Sequence, residues 1–277
     1  MIAHTGATPV FADCRREDWL LDIGAVERAL TRRSKAIVPV HLYGAPCDMV
    51  GLCELAAQHR LAIVEDCAEA FGTRHVGTFG NVGTFSFFGS KTITTGKGGM
   101  VITNDDAVAE RMRRVKGQGQ SPTERYWHEV LGFNYRMTNI CAAIGLAQVE
   151  RADVILARKR ALAQRYRQLS ATLPVTLPVT LQAPRPDAVS SEWLVSCLLP
   201  PNVKRDAVIA AMLRDGIETR PVFHCAHHMP MYRSGLHLPV SEDISGRGIS
   251  LPSYPGLTDR EMDAVLGSLG AAIAAHT

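Results

Sequence analysis

The sequence lacks the long apolar run that a membrane span requires. Of its 277 residues 46% are hydrophobic, yet no stretch approaches the roughly 18 uninterrupted apolar residues that a spanning helix needs. The opening residues, MIAHTGATPV, also lack the basic start and apolar run of a signal peptide. We therefore expect neither export nor a membrane partner.

An excess of charge of one sign is missing as well. The 30 basic residues nearly balance the 27 acidic residues, which leaves a formal charge of +3. This balance gives no electrostatic reason to expect nucleic acid as a partner. The charged fraction of 21% and the length are ordinary for a globular chain, one long enough to bury a core without disulfides or metals.

The seven cysteines form no C-x-x-C pair. An odd number of scattered cysteines predicts reduced thiols and a cytoplasmic location rather than a disulfide framework. Four potential metal ligands, His224, Cys225, His227 and His228, stand close together, but their spacing matches no zinc pattern and no further ligand pair is in register. We therefore predict no metal site and assign these histidines to the surface or to a substrate cleft.

Short β-branched runs alternate with helical patterns over the first two thirds of the chain. This order is typical of an α/β protein with helices on both faces of a mostly parallel sheet. A helical pattern from Asn139 to about Leu169 predicts one bridging helix, and prolines mark a joint at 173–187. We expect a large domain at residues 1–150, followed by the bridging helix and a small C-terminal α/β domain at 151–277.

Two residues that could take part in catalysis lie at or after predicted strands of the large domain. Asp66 lies where a buried strand ends, which is the place where open α/β sheets bind ligands. Lys91 lies in an apolar segment with small hydroxyl residues, which would desolvate its amine and make it a nucleophile toward carbonyls. Such a pair matches pyridoxal phosphate, because the lysine can bond its aldehyde and the acid can keep its ring nitrogen protonated. The alternative for Asp66 is an ordinary helix N-cap.

A resemblance to a known family rests on five stretches spread over nearly the whole chain. They are PVHLYG at 39–44, VEDCAEAFG at 64–72, TFSFFGSKTITTG at 84–96, GFNYRMTN at 132–139 and GIETRP at 216–221. On these stretches the sequence resembles the DegT/DnrJ family of sugar aminotransferases, fold type I enzymes that depend on pyridoxal phosphate. The resemblance implies amination of a GDP-linked 4-keto-6-deoxy sugar with L-glutamate as donor, a step toward surface polysaccharides such as the O-antigen of lipopolysaccharide. Lys91 favours transamination, since the family's dehydratases carry histidine at this position.

The resemblance also implies roles for individual residues. Lys91 would hold the cofactor covalently and move the proton, and Asp66 would pair with the pyridinium nitrogen. Glu69 would lie beside the cofactor ring near its hydroxyl group. Ser86 would bind the phosphate group.

Three further residues fall on family motif positions. Asn134 would reach the phosphate group of the cofactor in a neighbouring subunit, which implies a homodimer with shared active sites. His41 and Arg220 would bind the substrate. Their alternatives are a packed histidine after a strand and an arginine in a surface ion pair.

The sequence departs from the family pattern in two places. It begins inside that pattern, and we therefore expect the N-terminal part of the fold to be missing, including a helix whose N–H groups would bind the cofactor phosphate. Lys97 stands where the family commonly has an acidic residue, a change that matters if the residue is buried and little if it is exposed. Two alternatives stay open: an aminotransferase for a UDP- or dTDP-linked keto sugar, and a truncated non-catalytic remnant that acts only as a dimerising module.

Overall fold

The computed structural model describes residues 1–171 and 179–277, and its strands form two separate sheets. The first sheet contains, in spatial order, β1 (Ala36–Ile37), β2 (Ala62–Asp66), β3 (Val82–Ser86) and β4 (Gly99–Ile102). The first three strands run parallel, and β4 pairs antiparallel with β3. The prediction of an α/β fold with a mostly parallel sheet is confirmed.

Aspartate side chains begin the helices of this part of the chain. The helices are α1 (Ile23–Ala29), α2 (Met49–His59) and α3 (Asp106–Lys116). Asp22, Asp48 and Asp105 each accept a hydrogen bond from a backbone N–H group of the first turn, as N-caps do. Leu20, Leu52 and other apolar side chains of this region pack around Ile63 of β2 in one buried cluster.

The predicted bridging helix is in fact two helices, α4 (Asn139–Val149) and α5 (Ala152–Ser170). Arg151 interrupts them with a φ of −108° and a ψ of 5°. Helix α4 buries none of its residues, whereas α5 buries Leu162 and Tyr166 in the second core. The apolar pattern continues through the break, which is why the sequence predicted one helix.

The second sheet is antiparallel throughout, with the spatial order β5, β6, β8, β7. Its strands are β5 (Thr180–Leu181), β6 (Val195–Leu198), β7 (Arg220–Pro221) and β8 (Gly248–Leu251). The helices of this part are α6 (Arg205–Arg214), α7 (Pro239–Arg247) and α8 (Asp259–Ala275). Ile249 of β8 and Leu269 of α8 lie in one buried cluster with residues of α5 and α6.

The predicted boundary after residue 150 leaves one sheet on each side, and the division into two domains stays a prediction. Part of the predicted proline-rich joint, residues 172–178, lies outside the described residues. All seven cysteines fall within the described ranges and are free thiols. Within those ranges, no helix combines the length and the apolar character needed to cross a membrane.

Candidate active site

Asp66 and Ser86 end two neighbouring parallel strands. Asp66 lies opposite Thr84 in the β2–β3 register. Because the two strands run parallel, their carboxyl ends bring the side chains of Asp66 and Ser86 to the same edge of the sheet. The Asp66 Oδ1 atom accepts a hydrogen bond from the Ala68 N–H group (3.0 Å). The Ser86 Oγ atom accepts a hydrogen bond from the Phe88 N–H group (3.3 Å). This contact closes a local turn, and no helix begins directly after Asp66, so the N-cap alternative is wrong. The Asp66 Oδ2 atom has no hydrogen-bond partner among the described residues.

Lys91 and Glu69 form an ion pair at this edge. The Lys91 Nζ atom lies 3.6 Å from the Glu69 Oε1 atom, and the two side chains are only 15% and 10% exposed. The other carboxylate oxygen of Glu69 accepts a hydrogen bond from the Tyr43 N–H group (2.9 Å). Burial raises the pKa of Glu69 above its usual value, although the Tyr43 N–H group and the Lys91 charge act in the opposite direction.

Trp193 covers the Lys91 side chain and was not predicted. The Lys91 Nζ atom lies 4.1 Å from the centroid of the Trp193 ring, within the range of a cation–π contact. The indole Nε1–H group donates a hydrogen bond to the Ser90 carbonyl oxygen (2.8 Å). Nothing in the sequence around Trp193 indicates Lys91 as its neighbour.

An open cleft of about 610 Å³ begins at Lys91 and Trp193. Arg220 lies on its wall, with its side chain 70% exposed and its Nη2 atom 3.2 Å from the Glu218 Oε1 atom. Both interpretations of Arg220 therefore keep structural support, because the residue forms a surface ion pair and also faces a cleft that can admit a ligand.

The same cleft contains a second lysine that sequence reasoning missed. Lys159 of α5 is buried, and its Nζ atom donates a hydrogen bond to the Ser253 carbonyl oxygen (3.0 Å). Burial lowers the pKa of Lys159 to about 8. The arginine-rich helix pattern gave no signal that one of its basic residues faces inward.

His41 lies in the interior rather than on the cleft. Its ring is fully buried, its Nδ1 atom accepts a hydrogen bond from the Cys47 N–H group, and its Nε2 atom lies 3.1 Å from the Glu65 Oε2 atom. Because Nδ1 accepts a hydrogen bond, Nε2 carries the ring proton and donates a hydrogen bond to Glu65. The structure therefore favours the packed histidine over a substrate-binding role for His41, since both ring nitrogens are already used.

Asn134 lies apart from these residues on an exposed segment. Its backbone forms an isolated β-bridge with Gly117. The neighbouring rings of Phe133 and Tyr135 stack with their centroids 4.9 Å apart. Within the described chain, no hydrogen bond or ion pair joins Asn134 to Lys91 or Glu69.

Lys97 is exposed to solvent. Its Nζ atom lies 4.8 Å from the centroid of the Phe88 ring, which is itself partly exposed. This is the case in which we expect the change of charge at position 97 to have little effect.

The polar side chains at this edge of the sheet fit pyridoxal phosphate. They include an amine at the cleft, a carboxylate oxygen of Asp66 that has no hydrogen-bond partner among the described residues, and a serine hydroxyl group at the next strand end. These are the groups needed to bond an aldehyde, pair with a pyridinium nitrogen and contact a phosphate group. Fold and site together define a pyridoxal phosphate-dependent enzyme of fold type I.

Comparison with known proteins gives the family. Residues 1–270 match the DegT/DnrJ/EryC1/StrS aminotransferase family, and the chain belongs to it. It is therefore an enzyme of the aminotransferase class with pyridoxal phosphate as its cofactor, as predicted.

Three similar proteins illustrate the match. The GDP-perosamine synthase of Escherichia coli O157:H7 is 46% identical over 273 residues, which cover 97% of this chain and 74% of that protein. The GDP-perosamine synthase of Vibrio cholerae is 43% identical over 276 residues, which cover 95% of this chain and 73% of that protein. The solved structure of the aminotransferase TlmJ from Streptoalloteichus hindustanus has a TM-score of 0.90 at 30% identity and covers 99% of this chain and 75% of that one.

Proposed function

We propose that the protein transfers an amino group from L-glutamate to the C4 ketone of GDP-4-keto-6-deoxymannose and so forms GDP-perosamine. The observation that carries the proposal is the Lys91–Glu69 pair at the mouth of the cleft, beside the strand end that bears Asp66. Identities of 46% and 43% to two GDP-perosamine synthases support the choice of sugar.

Four residues would hold the cofactor. Lys91 would bond it through Nζ, Asp66 would pair with its ring nitrogen, Glu69 would lie beside the ring, and Ser86 would contact its phosphate group. When bound, pyridoxal phosphate supplies an electron sink for the negative charge that develops at the substrate carbon.

Lys91 would also act as the acid–base group of both half-reactions. Its Nζ atom would take the α-proton of the amino donor in the first and give it to the cofactor, and in the second it would take a proton back from the cofactor and deliver it to the sugar carbon from one face. The protonated amine is stabilised by the Glu69 carboxylate at 3.6 Å and by the face of the Trp193 ring. Because both contacts are largely buried, they hold Nζ in one place and limit the access of water to it.

Arg220 would bind the anionic part of the nucleotide sugar. Its guanidinium group is exposed on the cleft wall, where the ion pair with Glu218 fixes its position without burying its charge. Arginine is suited to this role because its planar group can donate two parallel hydrogen bonds to a phosphate.

A homodimer with shared active sites is part of the proposal. The segment around Asn134 exposes large apolar side chains, among them Leu131 (98% exposed), Tyr126, Phe133 and Tyr135. Apolar surface of this extent is typical of an interface, and it would bring Asn134 to the cofactor phosphate of the second subunit. We place the enzyme in the cytoplasm, since its seven free thiols suit a reducing compartment.

A substrate panel tests the reaction. The purified protein, incubated with pyridoxal phosphate and L-glutamate, is given GDP-, UDP- and dTDP-linked keto sugars, and the amino-sugar products are measured by mass spectrometry. We expect turnover of the GDP-linked 4-keto sugar. Turnover of only a UDP- or dTDP-linked sugar would replace the substrate by the first alternative.

Cofactor attachment tests the site. Borohydride should fix pyridoxal phosphate to the wild-type chain at Lys91 and not to the Lys91→Ala variant, whereas the exposed-site control Lys35→Ala should behave as wild type. A folded protein that shows neither attachment nor turnover would support the non-catalytic remnant instead.

A further inference from the structure

Three metal-ligating side chains lie together outside the cleft, at a turn of 3₁₀ helix (Ala226–His228), and a carboxylate of α7 lies beside the two histidines among them. One ligand atom from each of Cys225, His227 and His228 lies within 4.8 Å of the others. The Oε1 atom of Glu242, on α7, lies 2.9 Å from His227 Nε2 and 3.4 Å from His228 Nε2. We propose that Cys225, His227, His228 and Glu242 bind a divalent cation of the zinc class.

The donor set decides which cation suits the site. Thiolate and imidazole ligands favour Zn²⁺ and Co²⁺, whereas Mg²⁺ and Ca²⁺ prefer oxygen ligands alone. A thiolate and a carboxylate together also neutralise the charge of a divalent ion. The site is therefore expected to discriminate against Mg²⁺ by its chemistry rather than by its size.

The distances from the two histidines to Glu242 are close to those between the ligands of a tetrahedral site. Bonds of about 2.0–2.3 Å place tetrahedral ligand atoms roughly 3.3–3.8 Å apart. The separations to Glu242 Oε1 are already 2.9 and 3.4 Å. The turn residues, within 4.8 Å of one another, need shifts of only about 1 Å to reach the tetrahedral spacing.

Glu242 is held in place by groups other than the ligands. The Leu238 N–H group donates a hydrogen bond to its Oε1 atom (3.0 Å), and His237 Nδ1 lies 2.6 Å from its Oε2 atom. Partners of this kind orient the ligands of metal sites. The side chains of His227, Glu242 and His228 are 2%, 21% and 59% exposed, so the group is anchored on one side and accessible to solvent on the other.

A small cavity adjoins the group and gives a cation access to it. The cavity measures about 310 Å³ and is lined by His227, His228, His237 and Glu242, together with Arg233. Arg233 is exposed to solvent, so its positive charge is screened. A bound ion would join the turn to α7 and thereby stabilise the folded chain.

The spacing of the sequence could not reveal this site. Cys225, His227 and His228 supply only three ligands from one turn, and the fourth comes from a separate helix. The sequence-based prediction of no metal site rested on a spacing that matches no zinc pattern and on the lack of a further ligand pair in register. The fold brings Glu242 to the turn.

Metal titration of the holoenzyme tests the proposal. Protein without a histidine tag, loaded with pyridoxal phosphate and dialysed against a chelator, is titrated with Zn²⁺, Co²⁺ or Mg²⁺, and bound metal is measured by elemental analysis after gel filtration. We expect one equivalent of Zn²⁺ or Co²⁺, none of Mg²⁺, a higher melting temperature with Zn²⁺, and a tetrahedral Co²⁺ spectrum in the red, away from the cofactor absorbance.

Three variants and a control locate the bound ion. Cys225→Ser, His228→Ala and Glu242→Gln should each weaken Zn²⁺ binding by at least about 10-fold. The exposed-site control His59→Ala should bind as wild type. Since His228 is exposed, its variant should keep the circular dichroism spectrum of the parent. Failure of the wild type to retain Zn²⁺, or equal retention by His228→Ala and His59→Ala, would overturn the proposal.

Discussion

The ammonium group of Lys91 lies 4.1 Å from the centroid of the Trp193 ring. The same tryptophan donates its indole N–H group to the carbonyl oxygen of Ser90, the residue before Lys91. Lys91 follows β3 of the first sheet, whereas Trp193 precedes β6 of the second. One buried side chain thus fixes both the backbone and the amine of Lys91 and connects the two sheets at the site.

Replacing Trp193 should slow the chemical step. A cation–π contact contributes about 0.5–2 kcal/mol, and about 1.4 kcal/mol corresponds to a tenfold change in rate. We expect Trp193→Ala to lower kcat by about 10-fold with a smaller change in KM, because the mispositioned group is Lys91 and not a substrate contact. Trp193→Phe keeps the ring and should retain more activity. Steady-state kinetics check this, and an unchanged kcat in Trp193→Ala would contradict it.

Glu69 should make the stability depend on pH in a defined direction. Burial raises its pKa above the usual value of 4.5, so folding disfavours the ionised carboxylate. Its contribution to the free energy of unfolding is therefore fully present below pH 4.5 and is lost as the pH rises through the folded-state pKa. Over that rise the free energy of unfolding of wild type should fall relative to that of Glu69→Gln. Urea unfolding of both proteins between about pH 4 and 7 measures this, and parallel pH curves would refute it.

Glu65 should make the stability depend on pH in the direction opposite to that of Glu69. Burial alone would raise its pKa, but hydrogen bonds from His41, Gly80 and Gly77 outweigh burial and hold the pKa below 4.5. Its stabilisation is therefore present above pH 4.5 and is lost as the pH falls through the lower folded-state value.

The Glu65→Gln variant tests this contribution. At neutral pH it should lose about 1.5–3 kcal/mol of unfolding free energy, the usual contribution of a hydrogen bond to a charged group. The loss should shrink as the pH falls below 4.5. Glu54→Gln, at an exposed position of α2, serves as the control. A difference from wild type that stays constant with pH would show that packing, rather than charge, causes the loss.

Shared active sites predict complementation between two inactive variants. If Asn134 serves the cofactor of the other subunit, neither Lys91→Ala nor Asn134→Ala homodimers can turn over. A mixed dimer contains one site in which both residues are intact, so randomly mixed chains should recover about a quarter of wild-type activity. Co-expression followed by an activity assay checks this. Activity no higher than that of the parent variants would argue against a role for Asn134 across the interface.

Local sequence determined the parts of the fold that depend on neighbouring residues. Aspartate caps begin α1 and α2, and such a cap depends only on local sequence because an N-cap needs only the residues of one turn. The strand that ends at Asp66 was predicted because its apolar residues are neighbours in the sequence. The break at Arg151 was missed, since the apolar pattern runs through it and the surroundings of α4 and α5 differ only in the folded chain.

The sequence by itself determined the chemistry of this protein: Lys91, Asp66 and Glu69 stand in contiguous motifs, and such motifs sufficed to indicate the cofactor and the family. Only the tertiary structure decided which distant groups meet. It placed Trp193 on Lys91, used both nitrogens of His41 in the interior, turned Lys159 toward the cleft and brought Glu242 to the histidine turn. Those contacts depend on how the two sheets and their helices pack, and no spacing along the chain encodes a distance between residues that packing alone brings together.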